Sequence, residues 1–348
     1  MNDRHYAIAE FLDVQGLKQA RRIALPSDAS FRRYERVVMD DGRHFILMDA
    51  PPKTETILPF IYVDHYLREH GLSAPKIYAQ DTTQGFMLLE DLGDARFTQL
   101  LMPDAQPSDE PMLYCEAIAA LVHLQRQTPP LDLPHYDHAL LMREVELFVD
   151  WYLPHVVGHT ASENIKNCYR AIWDGVLAAH VPDHPVVVLR DYHADNLMWL
   201  PDRKGIERVG LLDFQDAVVG SPIYDLISLL EDARRDVAPQ TVDAAIAFYM
   251  NASPQNDPEV LLRHYAVYAA QRNCKILGIF ARLAVRDQKR RYLEYMPRVW
   301  KHLEHDMQHP ALESLRLWFD TVIPSPDRVI SAFTPPSLSA GEPSAICQ

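Results

Sequence analysis

The chain has 348 residues, 48% of them hydrophobic and 24% charged, an ordinary globular composition with length enough for two domains or two lobes. Its formal net charge of -14 excludes the basic footprint of a general nucleic-acid binder, and no apolar run is long enough to span a membrane. The first residues lack the apolar core of a signal peptide. The four cysteines, Cys115, Cys168, Cys274 and Cys347, form no Cys-x-x-Cys pair, so the expectation is a cytoplasmic protein with reduced thiols.

In chain order, residues 1–20 read as an amphipathic helix that stops near Gly16. Strand-like runs follow at 22–25, 31–39 and 44–48, the last two separated by a hairpin turn at Asp40, Asp41 and Gly42. Between the first two lies the segment 26–34 (PSDASFRRY). Its small and polar residues suit the covering of phosphates by backbone N–H groups. Strand alternation turns one of its two arginines inward, so Ser30, Arg32 and Arg33 are candidate nucleotide contacts.

A helix is predicted over 55–70, stopped by Gly71, followed by strands at 76–79 and 85–89. The run Glu90, Asp91, Leu92, Gly93 then breaks the pattern. It is expected to be a hinge, with backbone groups at Glu90 and Leu92 offered to a nucleotide base. Beyond it helices are predicted at 111–127, 138–157, 162–180, 222–235, 239–251, 258–286, 288–308 and 311–320, punctuated by Pro-rich pieces. Trp151 and Tyr152 read as a buried aromatic pair on a helix rather than a stacking platform. Arg272 and Asn273 are candidate acceptor contacts. From Pro324 onward few large apolar residues remain, and a disordered tail is expected.

The most informative stretch is 189–200 (LRDYHADNLMWL) with 209–216 (VGLLDFQD). Asp191 lies five residues before Asn196, an apolar strand follows, and Asp213 closes a second apolar strand. Kinase-type phosphoryl transfer requires these identities in this order: one carboxylate to orient an attacking hydroxyl and accept its proton, an amide oxygen and a second carboxylate to hold the metal. Asp191 is therefore the candidate catalytic base, and Asn196 and Asp213 the candidate Mg²⁺ ligands. Asp216 is a candidate for substrate or a second metal, or a group that orders its loop. His193 and Asp195 suggest a second reading, a metallohydrolase, which no further His-rich motif supports.

These residues resemble those of the aminoglycoside-phosphotransferase and choline-kinase superfamily over roughly 27–303. Within it, segments 27–34 (SDASFRRY), 48–52 (MDAPP), 88–94 (LLEDLGD) and 271–282 (QRNCKILGIFAR) are similar to the anomeric N-acetylmuramate/N-acetylglucosamine kinases of cell-wall recycling. The resemblance implies an α+β, protein-kinase-like two-lobed fold: a small antiparallel-sheet N-terminal nucleotide lobe at 1–90 and a mostly helical lobe at 91–323. It implies ATP and Mg²⁺, a small-molecule amino sugar as partner, and a monomer. Rival expectations are a kinase for an aminoglycoside, choline or a hydroxy amino acid, and a non-catalytic nucleotide-binding regulator. Two departures stand out. Leu189 replaces the usual His before the catalytic loop, and the strand at 44–48 lacks the Lys that anchors phosphates. Arg32, Arg33 or Lys53 remain as substitutes, with Glu55 as a partner carboxylate on the following helix.

Overall fold

The computed structural model describes residues 2–26, 32–102, 109–158, 161–253, 257–324 and 328. In chain order the elements are α1 (Asn2–Val14), β1 (Arg21–Ala24), β2 (Arg33–Val38), β3 (His44–Asp49), α2 (Leu58–Glu69), β4 (Ile77–Asp81), β5 (Phe86–Glu90), α3 (Phe97–Leu100), α4 (Glu110–Gln125), α5 (His138–Leu147) and α6 (Glu163–Ala178). Four short strands follow, β6 (Val186–Val188), β7 (Leu197–Trp199), β8 (Val209–Leu211) and β9 (Val218–Gly220). The chain closes with α7 (Tyr224–Leu230), α8 (Pro239–Ala252), α9 (Pro258–Val285), α10 (Met296–Asp306) and α11 (Glu313–Val322). Two compact units emerge, one from 1–130 with 189–217, the other from 131–188 with 218–348.

In the first unit β1-β2-β3-β5-β4 form an antiparallel sheet. Alternation along the strands turns Val37, Leu47, Phe86 and Leu88 to one face, where Ile8, Phe11 and Leu12 of α1 and the following Leu17 cover them. Arg4 of α1 reinforces that contact, its guanidinium over the Phe86 ring and ion-paired with Asp49. Helix α2 begins at Leu58, not at 55, with proline in its first turn, so Glu55 stands ahead of the helix. The β7–β8 hairpin belongs to this unit and bridges through Gly210 to Ser73 and through Met198 to Arg96. The expected division at 90/91 falls inside the first unit, because that segment is bonded to residues on both sides of it, as detailed below.

In the second unit α9 is the central helix, buried along most of its length, with α5, α7 and α10 against it. The helix predicted over 138–157 splits: α5 ends at Leu147 and Phe148–Val157 is π-helical, with Pro154 inside it. The Phe148 and Tyr152 rings stack within this wider turn, and Tyr152 is buried while its hydroxyl accepts from Trp300 Nε1 at 2.6 Å. Cys115 and Cys274 are free thiols. Among the described residues no helix is long and apolar enough to cross a membrane. The predicted tail beyond Pro324, Arg328 apart, lies outside the described residues.

Candidate active site

The candidate residues gather at the open end of the β7–β8 hairpin. Its register pairs Leu197 with Leu211, and Leu212 N donates to Asn196 O at 2.9 Å, so Asn196 and Asp213 leave the hairpin side by side. Before β7, the loop from Leu189 is anchored by buried Tyr192, whose hydroxyl donates to Ala117 O of α4 at 2.7 Å. Asp191 stays exposed at its tip. The Asn196 amide nitrogen donates to Asp191 O at 3.0 Å, an arrangement that leaves the amide oxygen as the acceptor or ligand atom. Arg190 and Asp213 both adopt left-handed backbone, φ 71° and 58°, a conformation costly for non-glycine residues and concentrated at functional sites.

Asp213 is about half exposed, 47% at its side chain, and Gln215 Nε2 donates to its Oδ1 at 3.1 Å and to Asp216 Oδ2 at 3.3 Å. Opposite it lies Arg32. The residue is only 7% exposed, and its guanidinium sits 2.5 Å from Glu55 Oε1 and approaches Asp213 Oδ1 at 3.6 Å. Burial pulls its pKa down, but Tyr34, Asp213 and Glu55 together hold it above its ordinary value. Of the other two cations considered, Arg33 and Lys53 are exposed. Ser30 lies outside the described residues.

The segment Glu90–Gly93 is held by its side chains. Glu90 is ion-paired with Arg203, and Asp91, nearly buried at its side chain, is ion-paired with Arg36. Leu92 packs its side chain close to Gly210 of β8. Arg272 and Asn273, the candidate acceptor contacts, lie on α9. Both are buried in the second unit, where Arg272 donates to Ser228 Oγ at 2.8 Å, and Asn273 Nδ2 bridges Glu231 Oε2 at 2.8 Å and Asp306 Oδ2 at 2.9 Å. They brace α9 against its neighbours.

Sequence reasoning missed Tyr34, Arg36 and Arg203. No local signal marks the latter two, whose partners lie 55 and 113 residues away in sequence. Among the described residues no group of three or more His, Cys, Asp or Glu side chains could hold a metal ion. A hydrolase zinc would need such a group. A Mg²⁺ shared with substrate phosphates needs only one or two carboxylates, and the amide oxygen of Asn196 with the half-exposed Asp213 carboxylate is a fitting oxygen set.

The family model described as the phosphotransferase enzyme family (APH) matches residues 22–261. The N-acetylmuramate/N-acetylglucosamine kinase of Caulobacter vibrioides is 36% identical, over 93% of this chain and 98% of that protein. The protein of the same name from Pseudomonas putida is 36% identical over 84% and 85%. Among solved structures, a choline kinase from Streptococcus pneumoniae matches with TM-score 0.59 at 14% identity, covering 86% of this chain and 99% of that one. A Plasmodium vivax ethanolamine kinase matches with TM-score 0.61 at 10% identity, over 88% and 86%. These last two speak for the fold, which is the kinase-like α+β fold expected. With the match spanning most of its length and the relatives aligned across nearly all of it, the chain belongs to the APH phosphotransferase enzyme family.

Proposed function

We propose that the protein is an ATP-dependent sugar kinase that phosphorylates the anomeric hydroxyl of N-acetylmuramate and N-acetylglucosamine, in the cytoplasm and as a monomer. The observation that carries the reaction class is the convergence of Asp191, Asn196 and Asp213 on one end of the β7–β8 hairpin, with the buried Arg32 facing Asp213. The names of the relatives at 36% identity support the acceptor.

Asn196 and Asp213 would hold Mg²⁺, which supplies neutralisation of charge on the transferring phosphoryl group. Arg32 presents a guanidinium to the phosphates, filling the role for which the chain has no lysine in β3; Glu55 fixes its orientation. Asp191 orients the sugar hydroxyl and takes its proton. An anomeric hydroxyl is more acidic than other sugar hydroxyls, so positioning matters more than base strength. The backbone of Glu90 and Leu92 meets the base.

The test is ³¹P NMR of the protein with Mg·ATP and N-acetylmuramate, with N-acetylglucosamine and kanamycin in parallel. A sugar-phosphate resonance coupled to the anomeric proton is the expected result. A phosphorylated product with kanamycin alone overturns the acceptor while keeping the reaction class. Turnover of no acceptor by protein that still binds ATP sinks the kinase reading.

A further inference from the structure

Glu90 is held from three elements. Arg203, in the turn of the β7–β8 hairpin, places Nη2 2.5 Å from Glu90 Oε1, and its Nη1 donates to Ser73 Oγ at 2.7 Å. Lys76 N donates to Glu90 Oε2 at 3.1 Å, and Arg68 of α2 stands 4.0 Å from that oxygen. Ser73 is tied back to the hairpin, its Oγ donating to Glu207 O at 2.7 Å and its carbonyl accepting from Leu211 N at 2.9 Å. The next residue is held from the other side. Arg36 of β2 grips Asp91 through Nε at 2.6 Å and Nη2 at 3.1 Å, and reaches Asp94 Oδ1 at 2.8 Å. Asp91 Oδ1 also accepts from Gly93 N at 2.9 Å. The end of β5 and the three residues after it are thus fixed by bidentate and charge-assisted bonds at two successive carboxylates.

The Arg203–Glu90 pair is about a quarter exposed on both sides and lies at one end of the hairpin. One end of the hairpin carries Asn196 and Asp213, the other carries Arg203, and the strands between them are three residues each. The Glu90 contact and the candidate metal ligands thus lie at opposite ends of one short hairpin. Ordering a ligand-binding segment before the ligand arrives removes an entropic cost from binding.

We propose that Arg203 is a positioning residue: its ion pair with Glu90 sets the Glu90–Gly93 backbone for the nucleotide base and couples base recognition to the placement of Asn196 and Asp213. The proposal rests on the reading that this backbone meets the base. It goes beyond that reading in naming Arg203, whose side chain bonds Glu90 and Ser73, as the residue on which base selectivity depends.

The test uses the full-length enzyme and four variants, Arg203→Ala, Arg203→Lys, Glu90→Arg and the double swap Glu90→Arg with Arg203→Glu. The Arg203→Ala variant should raise the KM for ATP about tenfold, shrink the ATP-over-GTP preference and shift the Mg²⁺ dependence to higher concentration. Its KM for the sugar and its melting temperature should stay near those of the parent. Arg203→Lys and the double swap should restore much of the ATP KM, while Glu90→Arg alone should not. An unchanged ATP KM and base preference in Arg203→Ala overturns the proposal. So does a loss that falls equally on ATP and sugar with a lowered melting temperature, because that marks a structural brace. Hydrogen exchange at 90–93 with and without Mg·AMP-PNP separates the two layers. Protection by the nucleotide keeps the base-site reading even if Arg203 proves silent, and no protection removes that reading itself.

Discussion

Asp191 and Arg32 make opposite demands on their surroundings. Asp191 is exposed at the tip of a loop whose next three residues, Tyr192, His193 and Ala194, are buried, which fixes the loop that carries it. Removing its basicity without changing its shape, in Asp191→Asn, should lower kcat by about 10²–10⁴-fold and leave the KM for ATP nearly unchanged. Near-parental kcat in steady-state assays would remove it from the chemistry. Arg32 is buried, and its value lies in a planar fork that reaches Glu55 and Asp213 together. Arg32→Ala should raise the KM for ATP by about 10–100-fold, the range expected for losing charge-assisted bonds. Arg32→Lys should fall between, since a point charge cannot match two partners in one plane. A lysine variant as poor as alanine would argue that packing, not phosphate contact, sets the effect; titration with ATP by calorimetry reads this directly.

The elements differ in how much of them local sequence reveals. The β7–β8 hairpin and its loop were legible because Asp191, Asn196 and Asp213 lie within one short stretch, and phosphoryl transfer dictates both their identities and their order. The sheet of the first unit was legible from alternation. Arg32 could be narrowed only to a choice among three cations, since burial is what separates it from Arg33 and Lys53. Arg203 and Arg36 were invisible, because their partners lie 113 and 55 residues away in sequence. The π-helical turn at Phe148–Val157 was equally hidden. Periodicity there continues that of α5, and the turn begins where Gly278 of α9 comes close to Leu147. A Cβ on that glycine would stand 2.4 Å from the Leu147 carbonyl carbon and 2.5 Å from its oxygen. Two backbones meet where α5 gives way to the wider turn, and only glycine admits the approach. Gly278→Ala should cost about 1–3 kcal/mol, seen as a lower midpoint in chemical denaturation. A midpoint equal to that of the parent would show that the two helices can part without cost.

At the scale of the whole molecule, two opposed sets of carboxylates shape stability against pH. Asp94 and Asp236 are held below their ordinary value, first by side-chain bonds from Arg36 and Arg298 respectively. Their contribution is present above the unfolded carboxylate pKa and is lost as pH falls below it. Asp64 and Asp306 behave in reverse. Asp306 is pushed well above the ordinary range by burial and by the Glu231 charge beside it. Asp64, on α2, is fully buried, neither of its oxygens has a hydrogen-bond partner among the described residues, and burial raises it to about 7, with Glu90 adding and Arg68 opposing. A carboxyl raised in the folded state is protonated there while the unfolded chain has already ionised. Its stability is therefore complete below about pH 4 and declines as pH rises to about 7, levelling off above. The rise from 3.8 to about 7 bounds this loss at roughly 4 kcal/mol. Asp64→Asn keeps the shape and cannot ionise, so it should remove that decline and leave the acid limb untouched. The expected signature is a melting-temperature difference, variant minus parent, that widens from pH 4 to 7 and then stays constant. Parallel curves across that window would show that Asp64 is ionised at a much lower pH in the folded protein, with a counter-charge drawn in from Arg68.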